Sequence, residues 1–385
     1  MSKIVIYKGV YQYDAVNIFA DAMGKGFNEL GYETAFIDLT DNAKLNDNLK
    51  RELSSSEFIL AFGAVGFAYE MNGKSLYDLL PYPFVAVLVD HPAHHLGRLN
   101  INNIIVTAID RSHVSFLDKY YEGSKKSAYL PHGGCVCNDP ETGERTVDIL
   151  FAGTYMDRNK CYSEIMEMEE IPRKIALETS EILLSNDCMP LEKALETIGK
   201  NIGMNIYDKM IFAKLSGELI PKIELFVRAE KRMKILSELD KSGLKTTIYG
   251  NNWPEGIFKK HSINGAVGFN DILKLMTRSK IVLNIGNYPD GSHERVFSAM
   301  LNGALMLSDY NSYLAEIFEE DKEIAFYRWL DLEVLPEKTA YLLSHPEKMK
   351  EIALKGKRKA EKEHTWKSRA ESLLKIVNGF KAARG

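Results

Sequence analysis

Residues 281–309 read IVLNIGNYPDGSHERVFSAMLNGALMLSD. The apolar run opening this stretch predicts a buried strand, the Gly/Pro/Asp cluster after it a loop, and Ala304 to Leu307 a second buried strand. Between them a short helix opens near His293. This order puts Ser292, His293, Glu294 and Arg295 at a strand-to-helix junction. Free backbone N–H groups and the helix dipole there favour an anion such as a diphosphate.

An apolar strand ending near Asn284, a polar loop, a helix beginning Glu294-Arg295-Val296-Phe297, the turn Asn302-Gly303 and a strand ending Ser308-Asp309 together form a pattern. It resembles the sugar-donor half of GT-B glycosyltransferases, most closely the CgeB-like branch of the group 1 superfamily. The resemblance runs loosely from Asp148 to His364-Thr365-Trp366, with a helical insertion interrupting it; the N-terminal half matches in architecture. Many relatives carry an acidic residue matched here by Ser298, where it holds the donor ribose. With Ser at that position, the role passes to Glu294 or His293.

Outward from this segment, strands alternate with helical patterns, which points to parallel sheets built from right-handed crossover units. Lys3 to Tyr7 predicts the first strand, followed by a Gly9-containing loop and a helix from about Asp14 to Gly31. Further strands are expected at Thr34 to Ile37, Phe58 to Ala61, Phe84 to Val89, Ile104 to Ala108 and Ser127 to Leu130. Pro131 to Gly134 and the polar run Asn138 to Thr146 read as a linker. A second alternating series opens at Asp148 to Gly153 and continues at Lys245 to Gly250, Gly265 to Gly268, Lys280 to Ile285, Ala304 to Leu307 and Ile324 to Tyr327. The expected fold is therefore α/β: two Rossmann-like doubly wound domains facing a cleft, 1–140 and 141–365. A helical insertion at about 160–225 is far longer than one crossover helix. It reads as an acceptor or oligomer surface, or as an extra structural bundle. In GT-B proteins the final helix often crosses back to the first domain, so the resemblance implies this for residues 366–385.

At 385 residues, the length suits two domains that each bury a core. A net charge of −4 argues against a general nucleic-acid binder, which needs a basic surface. The N-terminus lacks the pattern of a signal peptide and no apolar run suits a transmembrane segment, so a cytoplasmic location is expected. Cys135, Cys137, Cys161 and Cys188 make neither a disulfide framework nor a pair of zinc knuckles.

In doubly wound folds ligands bind at the carboxyl ends of the strands, so the loops there hold the candidates. In the second domain Gly153 permits close backbone approach and Arg158 neutralises phosphate. Asn251 and the backbone near Gly268 and Phe269 address base and ribose, Tyr249 and Gly250 join the donor-binding set from the same loop as Asn251, and Glu294 accepts from sugar hydroxyls. Against this, Gly153 and Gly250 also suit any tight strand-to-helix turn. Trp253 suits packing, and Arg295 suits an ion pair with a neighbouring carboxylate. In the first domain, Val89 to Arg98 carries three imidazoles and a carboxylate after a central strand. Metal binding competes there, but the Pro-containing run is not one helix face and lacks a further well-placed ligand. No Asp-x-Asp metal motif appears, and no metal is assigned. By resemblance, a His after this strand contacts the donor sugar or assists the reaction. That marks His91, with Asp90 as partner or base and Asp14 as a second base. His132 in the hinge loop reaches the donor or caps a turn.

The resemblance thus implies transfer of a sugar from a nucleotide-diphosphate donor, expected to be a UDP-sugar, to a hydroxyl of a glycan or protein acceptor, without a required cofactor. A nucleotide-sugar 2-epimerase and a catalytically lapsed GT-B protein serving glycan binding or spore-surface assembly remain as alternatives.

Overall fold

The computed structural model describes residues 2–41, 43–53, 55–123 and 125–383. The chain divides into two compact units, Met1–Cys135 with Glu363–Gly385, and Val136–Lys362.

The first unit runs β1 (Lys3–Lys8), α1 (Ala15–Glu29), β2 (Glu33–Asp38), α2 (Leu45–Glu52), β3 (Phe58–Phe62), a short β4–β5 hairpin (Glu70–Met71, Lys74–Ser75), β6 (Phe84–Val87), β7 (Ile104–Ala108), α3 (Arg111–Tyr120) and β8 (Lys126–Tyr129). Its six-stranded sheet is parallel throughout, in the order β2-β1-β3-β6-β7-β8. Every residue of β3, β6 and β7 is buried. Helices that cover both faces of a parallel sheet leave no solvent side, hence the continuous Val/Ile/Phe runs instead of alternation.

The second unit opens with β9 (Val147–Ala152) and passes through α4 (Arg158–Met166), α5 (Glu170–Leu184), α6 (Leu191–Asn201) and α7 (Lys209–Lys214). A single π turn, Leu215–Leu219, then leads into α8 (Ile220–Lys241). There follow β10 (Thr246–Tyr249), β11 (Ser262–Asn264), α9 (Phe269–Arg278), β12 (Ser279–Asn284), α10 (Glu294–Leu301), β13 (Leu305–Asp309), α11 (Ser312–Ile317), β14 (Ala325–Tyr327), α12 (Val334–Ser344) and α13 (Pro346–Glu363). The sheet is again parallel, in the order β11-β10-β9-β12-β13-β14. α8 is the crossover helix returning the chain to β10. Its Ile235, Leu236 and Leu239 pack with Ile149, Phe151 and Ile248 of the strands.

One expected strand is misplaced: the edge strand is Ser262–Asn264, and Gly268 is instead the N-cap of α9. A polar edge strand lacks the apolar run that marks its buried neighbours. The chain finishes with α14 (Trp366–Ala382), part of the first unit. No helix among the described residues is long and apolar enough to cross a membrane.

Candidate functional site

In the second unit the strand order reverses direction between β9 and β12, so the loops after these two strands flank a topological switch point, the usual ligand crevice of such sheets. The residues there are tied together tightly. Arg295, in the first turn of α10, donates from Nη1 to Asn284 Oδ1 at 3.1 Å and from Nη2 to the Ala152 carbonyl at 2.8 Å. It thereby bridges the ends of β12 and β9. Its guanidinium is buried over Phe151, 5.7 Å from the ring centre. Arg295 is thus a brace across the switch point, with both terminal nitrogens bonded to protein.

α10 is buried on all sides, so its entry is closely specified. His293 caps it, with Nδ1 accepting from Arg295 N at 3.2 Å and lying 2.9 Å from Glu294 Oε2. The loop before the helix is pinned from below. Asp309, at the end of β13, accepts through Oδ1 from Asn284 Nδ2 at 3.0 Å, Gly286 N at 3.1 Å and Ser308 Oγ at 3.2 Å. Tyr327 Oη donates to the Asn284 carbonyl at 2.8 Å. Burial pushes the Asp309 carboxyl up and the Tyr327 phenol far up.

Three cations that the sequence reading passed over come from α8. Arg228, Lys231 and Arg232 stand at i, i+3 and i+4, one helix face. Arg232 donates to the Thr154 carbonyl in the loop after β9, and its guanidinium carbon is 5.3 Å from the Phe151 ring centre. Its Nε is buried without a hydrogen-bond partner among the described residues. Burial first, and then repulsion from Arg228 and Arg295, holds this guanidinium down to about 9. Arg228 Nε meets the Asn287 side-chain oxygen at 3.0 Å, once that amide is turned to satisfy both its ends. Lys231 lies half-buried with its ammonium 5.6 Å from the Trp329 ring centre, attracted by Asp309 and Asp187. In the loop before α10, Ser292 Oγ is also buried and unpartnered among the described residues. The visible signal for the cations was a basic i, i+3, i+4 triplet leading into the apolar face of a crossover helix.

The other expected residues are placed as follows. Gly153 N donates to the Tyr249 carbonyl and its own carbonyl accepts from Trp253 Nε1, both at 2.8 Å. A Cβ on Gly250 would stand 2.6 Å from the Gly153 carbonyl carbon and closer still to its oxygen. The two glycines therefore let the loops after β9 and β10 touch. Arg158 pairs with Glu230 of α8. Gly250 and Asn251 line a separate cavity of about 430 Å³ with Asn252, Trp253 and Asn264. Phe269 is buried at the start of α9, with its ring turned away from solvent. Ser298 is fully buried one turn inside α10, leaving Glu294 as the carboxylate of that helix's first turn.

In the first unit, His91 follows β6 and caps a 3₁₀ turn, its Nδ1 accepting from Ala93 N at 3.1 Å. A neutral ring that accepts at Nδ1 carries its proton on Nε2. The imidazole packs edge-on to His113 at 4.6 Å and lies 5.6 Å from Phe116. Asp90 is exposed and attracts His95. His95 is buried, with neither ring nitrogen hydrogen-bonded among the described residues, and burial holds its pKa down to about 4. Asp14 is exposed at the start of α1 and accepts from Asn17 Nδ2 at 2.6 Å. Tyr13 and Asp14 have φ of 59° and 60°, a left-handed pair that L-residues adopt at a cost on the order of 1–3 kcal/mol each.

The family model described as "Glycosyl transferase-like" matches residues 229–375, a span that includes Lys231, Arg232 and the whole 281–309 stretch. An uncharacterized protein of Aquifex aeolicus is 23% identical over 375 residues, covering 92% of this chain and 91% of its own. Sucrose-phosphate synthase of Thermosynechococcus elongatus matches over 100% of both chains, with a TM-score of 0.55 at 10% identity. Anabaena HepE in complex with UDP-glucose matches over 98% of this chain and 100% of its own, with a TM-score of 0.52 at 10% identity. A DNA-modifying β-glucosyltransferase, solved with and without uridine diphosphoglucose, matches with a TM-score of 0.55 at 12% identity over 98% of this chain and 100% of its own. At these identities the likeness is one of architecture: the chain has the α/β fold of the GT-B glycosyltransferases.

Proposed function

We propose that this protein is a glycosyltransferase, related to the CgeB-like branch, that takes a sugar from a nucleotide-diphosphate donor bound on its second unit. The observation that carries the reading is the switch-point crevice itself. Three guanidiniums crowd there, and Arg232 feels only repulsion from its charged neighbours, with Nε left unbonded among the described residues. Ser292 adds a hydroxyl that is unbonded among the described residues, and α10 presents its positive end. An arrangement that destabilises itself in the absence of an anion is suited to a diphosphate, and most so when that diphosphate leaves with its charge fully developed.

Within this reading Arg232, Arg228 and Ser292 hold the phosphates, while Arg295 fixes the crevice in which they sit. Glu294 accepts from ribose or sugar hydroxyls in place of a carboxylate at position 298. The cavity beside Gly250 and Asn251 takes the base. The UDP complexes among proteins of this fold make uridine the first base to test. On the first unit, His91 is the candidate for contact with the donor sugar, and deprotonation of an acceptor hydroxyl falls to Asp90 or Asp14. Both carboxylates are exposed.

The deciding experiment is a thermal-shift panel of UDP-, GDP-, CMP- and dTDP-sugars, followed by product analysis with whichever donor binds. Slow release of free sugar and nucleotide in water supports the transferase. A 2-epimeric sugar would mark an epimerase, and binding without turnover a lapsed domain. A flat response across the panel would overturn the donor site.

A further inference from the structure

The crevice contains two opposite charges that do not meet. The three protein donors on Asp309 all converge on Oδ1. A carboxylate offers two oxygens with about four lone-pair sites, and Oδ2 takes no hydrogen bond from the described residues. Lys231 likewise makes no hydrogen bond or ion pair among the described residues. It is held over Trp329 and attracted by Asp309 and Asp187, while Asp187 Oδ1 is itself occupied by the backbone N–H groups of Trp329 and Leu330 at 2.7 and 3.3 Å. Both Asp309 and Lys231 keep part of their surface open. Opposite charges in a partly dehydrated site gain most by closing to contact. Here Asp309 is anchored at the strand end by three bonds, and Lys231 by its place on α8 beside Trp329.

We propose that Asp309 and Lys231 form a clamp for one hydroxyl of the donor's sugar, making them the residues that select which sugar is transferred. The hydroxyl donates to Asp309 Oδ2 and accepts from Lys231 Nζ. Having one O–H and two lone pairs, it satisfies both at once. A phosphate oxygen fits less well, since an ionised phosphate cannot donate to Asp309 and is repelled by it. The cationic side of the crevice, Arg228 and Arg232, thus reads the diphosphate, and the mixed-charge side reads the sugar. This inference rests on the donor reading above.

The test is calorimetric titration of the wild-type protein, Asp309→Asn, Lys231→Met and the double variant with UDP, UDP-glucose, UDP-galactose and UDP-N-acetylglucosamine. Bare UDP leaves the clamp empty, so its affinity is expected to stay within about twofold across all four proteins. The UDP-sugar that the wild type binds best should weaken at least tenfold in each single variant. It should weaken little further in the double variant, because the two residues share one hydroxyl. A purely structural role, acting through the loop after β12, predicts equal losses for UDP and UDP-sugar, and that outcome overturns the clamp. If Asp309→Asn does not fold, Lys231→Met carries the same comparison, because Lys231 makes no hydrogen bond to lose. No binding of UDP to the wild-type protein would remove the uridine donor itself, a failure distinct from that of the clamp.

Discussion

Arg232→Met is expected to make the ligand-free protein more stable while crippling nucleotide binding. The side chain is buried, bonds through one nitrogen to the Thr154 carbonyl, and leaves Nε unpaired among the described residues. Its guanidinium is held well below the usual range, down to about 9, because burial first and then the neighbouring guanidiniums disfavour the charged form in the fold. The sign follows from linkage. A base whose folded pKa is depressed is penalised wherever it is charged in both states, which is everywhere below about 9. At about 1.4 kcal/mol per tenfold change in proton affinity, the ceiling on that penalty is on the order of 5 kcal/mol. Relaxation and water entry reduce it. Loss of the Thr154 bond costs about 1 kcal/mol in return, and Met keeps the stem packed on Phe151. A net gain of about 1–3 kcal/mol remains. Binding should move the other way, with two charge-assisted bonds to phosphate lost and affinity for UDP down about 10- to 100-fold. Urea denaturation without ligand, paired with calorimetry, reads both quantities. A variant that is less stable yet binds UDP normally would show Arg232 to be a structural peg and the anion argument mistaken.

Further expectations follow from single contacts. Gly250→Ala must push against the Gly153 backbone, so it should cost about 3 kcal/mol or more in denaturation midpoint analysis. Gly265→Ala, with open space around its Cβ, should stay within about 0.5 kcal/mol. His91→Ala should lower turnover by about 10²–10⁴-fold with UDP affinity unchanged; near-normal turnover would shift attention to Asp90 or Asp14. His95, buried neutral with its pKa down near 4, makes stability fall as pH drops from about 6.5 to 4. In that window the unfolded chain takes up a proton that the folded one refuses. His95→Phe should flatten the slope in pH-dependent melts, and an unchanged slope would assign it to other groups.

The parallel sheets were legible because strands buried on both faces write themselves as uninterrupted apolar runs. Ile4-Val5-Ile6, Phe58 to Phe62, Ile149-Leu150-Phe151 and Leu305-Met306-Leu307 are examples. β11 was missed because an edge strand reading Ser-Ile-Asn carries no such run. The junction at Ser292 to Arg295 was legible as a place, since a Gly/Pro loop between apolar runs fixes where a helix can start. The division of labour within it was not. Arg295 reads like a phosphate ligand, yet it binds Asn284 and Ala152, 11 and 143 residues away in the chain. Arg232 sits on a crossover helix, outside every strand-end loop that holds the candidates, and meets Thr154 across 78 residues. Local periodicity reports which face a residue takes; it holds no record of what a crossover helix will cover when the sheet closes under it.

That same limit bears on the chain's last helix, whose periodicity gives a face without naming a partner. In the structure, α14 lies along α1 in the first unit. Trp366 stacks on Phe19 with ring centres 5.0 Å apart and meets Phe62 edge-on at 5.6 Å. Ala370, Leu373 and Val377 are buried along the rest of the helix. The approach is close because α1 offers Gly26, where a Cβ would stand 2.8 Å from the Lys367 Cα. Lys381 pairs with Glu57 at 2.6 Å and Arg369 Nε donates to the His132 carbonyl at 2.8 Å, tying both ends. Deleting residues after Trp366 removes the burial of Leu373 and Val377, about 1.5–3 kcal/mol each, and uncovers the groove of α1 beneath them. A loss on the order of 5 kcal/mol is a large share of the 5–15 kcal/mol that typically holds a domain. The first unit should then melt early, as a separate low-temperature transition in calorimetry, while the second unit keeps its own transition and its affinity for UDP. Gly26→Val wedges the same helices apart without shortening the chain, and should lower the same transition. An unchanged melting profile in both variants would mean that α14 only rests on the surface, and that the unit's stability lies in its sheet alone.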